Sequence, residues 1–311
     1  MIDVVIIVLL VVIFCSLLDM YSIKPFVKMF RLKNYLDREH VRLGDFDNKI
    51  GDISTREEII KVKKYPDCKV YFYSPNYDFD KLPLIMFIHG GGWIGGSAKK
   101  IQSFCKLMAS YGYVVANVDY SLAPEHRYPV STHQLIEVLN YIYENSNEYK
   151  IDNDKIFIGG TSAGAHLSSQ LGALVSNKEY ALEMKIEVRV PKITGLLLIN
   201  GVYEFETVID SRFPFMGHFL RAYISPKKWE EASSINYVTN NYPSVFITVG
   251  DRDPLEGQSL KLIDKLKENN IEYQRKFFKD ANLFHDFIYL LDNEYSKKTF
   301  EKMMKYIKDH C

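Results

Sequence analysis

Charge of one sign is what this sequence most lacks: 39 lysines and arginines meet 39 aspartates and glutamates in 311 residues, a formal net charge of zero. With no overall field and no basic run, nothing draws the chain to a polyanion, so a nucleic-acid partner is not expected. Cysteine is scarce as well. Cys15, Cys68, Cys105 and Cys311 form no Cys-x-x-Cys pair, which argues against a zinc site or a disulfide framework and points to a reducing compartment for the folded part. No His-Glu-x-x-His or other paired metal-ligand spacing occurs, so neither a metal nor a cofactor is expected. The marks of a cleaved leader are missing too. The start carries no positive region, no small-x-small site follows the apolar stretch, and Phe14 precedes Cys15 where a lipoprotein needs a small residue.

The hydrophobic share of 47% is enough to bury the core of one α/β domain with extensions. Residues 4–18 are uncharged between Asp3 and Asp19, and Ile2 and Met20 lengthen the run toward the about 20 residues of a membrane span. Residues 1–20 are therefore read as an uncleaved membrane anchor, with secretion after signal cleavage as the alternative. Lys24, Lys28, Arg31 and Lys33 follow this run while only Asp3 precedes it, which places the large domain on the cytoplasmic side. Residues 21–55 carry Phe26, Val27, Phe30, Tyr35 and Leu36 at near-helical spacing among basic residues. That pattern predicts an amphipathic linker or cap segment, lying on the domain or at a membrane surface. Runs at 59–62 and 68–73 around Tyr65-Pro66-Asp67 predict an antiparallel hairpin at a sheet edge.

Residues 84–88 are the short apolar run of a strand buried on both faces, and they end in His89-Gly90-Gly91-Gly92-Trp93. Successive glycines leave backbone amides uncovered, and two of them aimed at one point stabilise an oxyanion. The same glycines fit a rival pattern. Gly90-x-Gly92-x-x-Gly95, with Asp119 closing the next strand, matches a dinucleotide fingerprint. More than 80 residues precede it, however, and Trp93-Ile94 put bulk where a pyrophosphate would pack. Further on, Gly160-Thr161-Ser162-Ala163-Gly164 has the form of a strand-to-helix elbow that exposes a serine hydroxyl. The helix beginning there carries partial positive charge at its start, so the Ala163 amide is the natural third donor beside Gly91 and Gly92. A strand ending at Gly250 runs into Asp251-Arg252-Asp253-Pro254, where proline stiffens the loop around Asp253; Asp251 reads as an acidic turn capping the next helix. His285 lies in the loop before the final helix. His166 reads as a packing residue, His89 as a shaper of the glycine loop, and His40, His126, His133, His218 and His310 as surface or local structure.

Three ordered motifs, His89-Gly-Gly-Gly-Trp93, Asp119-Tyr-Ser-Leu-Ala-Pro-Glu-His126 and Gly160-Thr-Ser-Ala-Gly164, resemble the hormone-sensitive-lipase-like carboxylesterases of the α/β-hydrolase superfamily over roughly residues 80–290. The resemblance implies an α/β-hydrolase fold, with a mostly parallel sheet of about eight strands and helices on both faces. It implies a catalytic domain over 56–311 carrying a cap or lid insertion at 201–243. The nucleophile would be Ser162, the acid Asp253 in its Asp-Pro-Leu setting and the base His285, in the chain order typical of that fold. Gly91, Gly92 and Ala163 would form the oxyanion hole. The implied activity is hydrolysis of short or medium acyl esters without metal or cofactor. The alternatives are an arylformamidase-like amide hydrolase, a catalytically silent ligand-binding protein and, less favoured, a dinucleotide binder. Ser121 stands where the family commonly has arginine, Thr161 where it often has an acid, and Asp286 where glycine usually follows the histidine.

Overall fold

Two motif-bearing loops end up side by side because of the order in which the strands pair. In this computed structural model, which describes residues 22–36, 40–213 and 215–311, the strands are β1 (Ile53–Ile60), β2 (Cys68–Pro75), β3 (Leu82–Ile88), β4 (Val114–Asp119), β5 (Ile151–Thr161), β6 (Gly195–Ile199), β7 (Ser244–Thr248) and β8 (Tyr273–Lys276). They form one sheet in the order β1-β2-β4-β3-β5-β6-β7-β8. β1 and β2 pair antiparallel, the expected hairpin, and β2 is antiparallel to β4; from β4 to β8 every pairing is parallel. The chain leaves β3 for β4 on one side and crosses back to β5 on the other. The carboxyl ends of β3 and β5 therefore flank the point where the winding reverses, where open α/β sheets leave a crevice. Ile88 faces Gly160 across that pairing, so the glycine loop and the serine elbow are neighbours.

The main helices are α1 (Lys24–Leu36), α2 (Gln102–Ala109), α3 (Val130–Glu144), α4 (Ala163–Ser176), α5 (Met216–Tyr223), α6 (Glu256–Glu268) and α7 (Glu294–Asp309). Alternation along β3 shows how they are shared between the two faces. Leu84, Met86 and Ile88 pack with α3, α4 and α6, while Ile85 and Phe87 pack with α2 and α7. Both faces are covered, which is why the strand sequence is apolar throughout instead of alternating.

The expected anchor at residues 1–20 lies outside the described residues. Among the described residues no helix is long and apolar enough to cross a membrane. In α1, Phe26 and Val27 are buried while Tyr35 and Leu36 at its end are exposed, and Phe26 and Phe30 set their rings edge-on to Phe219 of α5. Residues 201–243 are a series of short helical turns around α5.

Candidate active site

Ser162 sits at φ 53° and ψ −118° between β5 and α4, a conformation side-chain-bearing residues rarely adopt and one that marks functional turns. The flanking glycines are there because β3 ends between them. A Cβ on Gly160 would lie 2.3 Å, and one on Gly164 2.0 Å, from the Ile88 carbonyl oxygen. The Ser162 amide donates to the Ile199 carbonyl at 2.8 Å, tying the elbow to β6. Ala163 opens α4, so its amide has no intrahelical acceptor and lies at the positive end of the helix dipole.

The glycine loop turns back on itself beside the serine. The Ile94 and Gly95 amides donate to the Gly91 carbonyl at 3.2 and 3.0 Å, and a Cβ on Gly91, at φ 117°, would strike the Gly95 carbonyl at 2.3 Å. Among the described residues the Gly91 and Gly92 amides donate to no protein acceptor. His89 shapes this loop: its Nδ1 donates to the Gly90 carbonyl at 2.7 Å, and its ring stacks on Tyr120. Burial pulls its pKa down against the nearby Asp119 carboxylate. Trp93 is buried and stacks on Tyr223, centroids 4.7 Å apart. Its indole donates to His166 Nδ1 at 3.1 Å. The His166 proton therefore sits on Nε2, which donates to the Ala232 carbonyl at 3.0 Å. Burial lowers the His166 pKa to about 4, so this imidazole is a neutral tie between the glycine loop and the 201–243 region.

The acid and the histidine arrive on loops after β7 and β8. The buried Asp253 carboxylate accepts from His285 Nδ1 through Oδ2 at 2.8 Å and from the Leu255 amide through Oδ1 at 2.9 Å. That pair fixes the ring with Nε2 turned outward. Asp251 has a different part. Its carboxylate accepts from the amides of Ala281, Asn282 and Leu283 at 2.9, 3.1 and 2.7 Å, bracing the loop that carries His285 instead of capping a helix. Burial opposes these bonds, but together they hold the Asp251 pKa below the ordinary value. Around His285, burial pulls the pKa down; the Asp286 charge and the Asp253 hydrogen bond outweigh it and lift the imidazole to about 9.

Ser162, His285, Gly91 and Gly92 line one cavity of about 470 Å³, with Asp253 behind the histidine and Ala163 beneath the serine. Ser162 Oγ and His285 line the same cavity without a hydrogen bond to each other. Phe26, Phe30, Phe213 and Phe219 make much of the remaining wall. Phe219 stands directly over Gly92, whose Cβ would meet the ring at 2.3 Å.

Arg31, which in the sequence is one more basic residue after the apolar run, fastens α1 to this wall. Its guanidinium donates to the carbonyls of Ile94 (2.7 Å) and Ala123 (2.8 Å) and forks onto both carboxylate oxygens of Glu125 (2.9 and 2.7 Å). Sequence reasoning missed Arg31 and Asp251 because their partners lie 30 to 94 residues away, with no local periodicity to mark them. Among the described residues no group of three or more His, Cys, Asp or Glu side chains could hold a metal ion.

The sequence pattern of a family described as an alpha/beta hydrolase fold matches residues 85–289. Esterase LipC of Mycobacterium tuberculosis is 26% identical over 255 residues, covering 78% of this chain and 58% of its own length. An arylesterase of Saccharolobus solfataricus is 24% identical over 268 residues, 80% of this chain and 86% of its own. This chain thus spans little more than half of LipC. Among solved structures, esterase B from Lactobacillus rhamnosis superposes with a TM-score of 0.81 at 19% identity, covering 94% of this chain and 96% of that one, a likeness of fold.

Proposed function

This chain belongs to the α/β-hydrolase fold family, and from that premise we propose that it is a serine carboxylester hydrolase working through Ser162, His285 and Asp253. The observation that carries the reading is a serine in a strained elbow sharing a cavity with an imidazole whose far nitrogen is held by a buried carboxylate. His285 Nε2 removes the Ser162 proton as Oγ attacks the ester carbonyl. Asp253 keeps the proton on Nδ1 and stabilises the imidazolium. The oxyanion takes hydrogen bonds from Gly91, Gly92 and Ala163, amides that need not reorganise as charge develops. Nε2 then gives its proton to the leaving alcohol, and a water deprotonated by the same nitrogen cleaves the acyl-enzyme. The aromatic wall from α1 and the 201–243 region, serving as cap, suits short or medium acyl chains in a cavity of this volume.

The test is hydrolysis of p-nitrophenyl acetate and butyrate by wild type and Ser162→Ala. The expected loss of kcat is on the order of 10³ or more. Equal rates in the two proteins would remove the proposal.

A further inference from the structure

One carboxylate oxygen at the cavity's edge accepts no hydrogen bond, its charged neighbour being the His285 imidazole. Asp286 Oδ1 is buried without a hydrogen-bond partner and lies 4.0 Å from His285 Nε2, while the side chain as a whole is 32% exposed and lines the cavity. Leaving such an oxygen without a hydrogen bond costs free energy that a donor on a ligand recovers. The backbone does not call for aspartate here. At φ 62° Asp286 occupies the left-handed region, which glycine adopts at no steric cost and aspartate less readily.

The position of this oxygen says which half of a substrate it meets. If Ser162 and His285 act as proposed above, on which this inference rests, Nε2 delivers its proton to the oxygen of the departing alcohol. That oxygen must come within hydrogen-bond reach of Nε2, so Asp286 faces the alcohol half of the ester and not the acyl half. An O–C–C–O unit is long enough to run from the leaving oxygen beside Nε2 to a donor on Oδ1. The phenylalanine walls offer that donor no competing acceptor. Lys33 also lines the cavity and weighs against a second cation, which favours a neutral hydroxyl over an ammonium. We infer that Asp286 is a specificity-determining residue selecting esters of diols and polyols, through a hydroxyl on the carbon adjacent to the esterified one.

The experiment compares matched esters in the full chain at fixed pH. 2-Hydroxyethyl acetate and propyl acetate differ by a hydroxyl in place of a methyl. 2-(Dimethylamino)ethyl acetate and 3-methylbutyl acetate differ by a protonated nitrogen in place of a CH. Wild type should prefer the hydroxyethyl over the propyl ester in kcat/KM by on the order of 10-fold or more, as for a hydrogen bond to a charged acceptor. Asp286→Gly, which the left-handed backbone accommodates, should bring that ratio to about 1. Asp286→Asn, keeping an acceptor oxygen without the charge, should fall between. Because all four esters use the same imidazole, any change in its titration cancels in the ratio.

An unchanged hydroxyethyl-to-propyl ratio in both variants, with p-nitrophenyl acetate still hydrolysed, overturns the inference and leaves the esterase reading standing. A preference confined to the ammonium ester overturns the choice of polyol esters. A wild type that hydrolyses none of the four esters but still turns over p-nitrophenyl acetate overturns the inference alone, and one that hydrolyses neither overturns both readings.

Discussion

Replacing Arg31 by methionine tests whether the glycine loop is held in place from α1. Methionine keeps the unbranched aliphatic stem and removes every donor. Four hydrogen bonds are lost: two to the carbonyls of Ile94 and Ala123 and two to Glu125. The Glu125 side chain is 55% exposed and that of Arg31 35%, so their ion pair is screened and contributes about 0–1 kcal/mol. The bonds to carbonyls are charge-assisted and partly buried. At about 1.5 kcal/mol each, the lower end for such bonds, they contribute about 3 kcal/mol to docking of the helix. That free energy holds Phe26 and Phe30 against Phe219, holds Phe219 over Gly92, and fixes the Ile94 carbonyl two residues beyond Gly92.

With about 1.4 kcal/mol per factor of ten, Arg31→Met should lower kcat/KM for p-nitrophenyl butyrate by on the order of 100-fold. The loss should divide between kcat, through the displaced amides, and KM, through the loosened wall. Glu125→Gln should cost less than about threefold. Steady-state kinetics on both variants, with limited proteolysis at α1 as a second readout, decide the matter. Wild-type kinetics in Arg31→Met, or equal damage from Glu125→Gln, would refute the reasoning.

Three further outcomes are expected. The base must be neutral to accept the Ser162 proton, so with His285 lifted to about 9, kcat/KM should rise with pH through that value. At pH 7 only about one molecule in a hundred is then competent. Asp286→Gly removes one of the two carboxylates that raise this pKa, so the rising limb should move to lower pH and the rate on p-nitrophenyl acetate at pH 7 should increase; a limb that stays in place contradicts the assignment. Asp251→Asn puts an amide NH₂ toward backbone amides that now donate to carboxylate oxygens. It should lower kcat about tenfold or more with little change in KM, and hydrogen exchange at residues 281–283 should speed up. On the reading of residues 1–20 as an anchor, deleting them should release the protein from a membrane fraction without detergent, and equal extraction of both forms would end that reading.

Much of the fold was legible because its signals are local. Apolar runs such as 84–88 require strands covered on both faces, and Gly160 and Gly164 announce a turn with no room for side chains. Chain order also placed Ser162, Asp253 and His285 on loops at the same ends of parallel strands. What the sequence could not supply was the set of contacts that depend on which loops meet. Pro254 and the Asp-Pro-Leu setting already singled out Asp253 in the sequence, but that Asp251, chemically alike and two residues away, braces the loop of His285 was decided only by packing. Arg31 looked like a charge beside a membrane segment until tertiary structure aimed it at Ile94, Ala123 and Glu125. Asp286 was visible only as a departure from a family pattern, and the fold gave it meaning by leaving one oxygen without a hydrogen bond beside the imidazole. Periodicity and turn chemistry act between near neighbours and can be read along the chain. Hydrogen bonds and charge pairs act across space, and their partners are decided only when the sheet order brings distant loops to one edge.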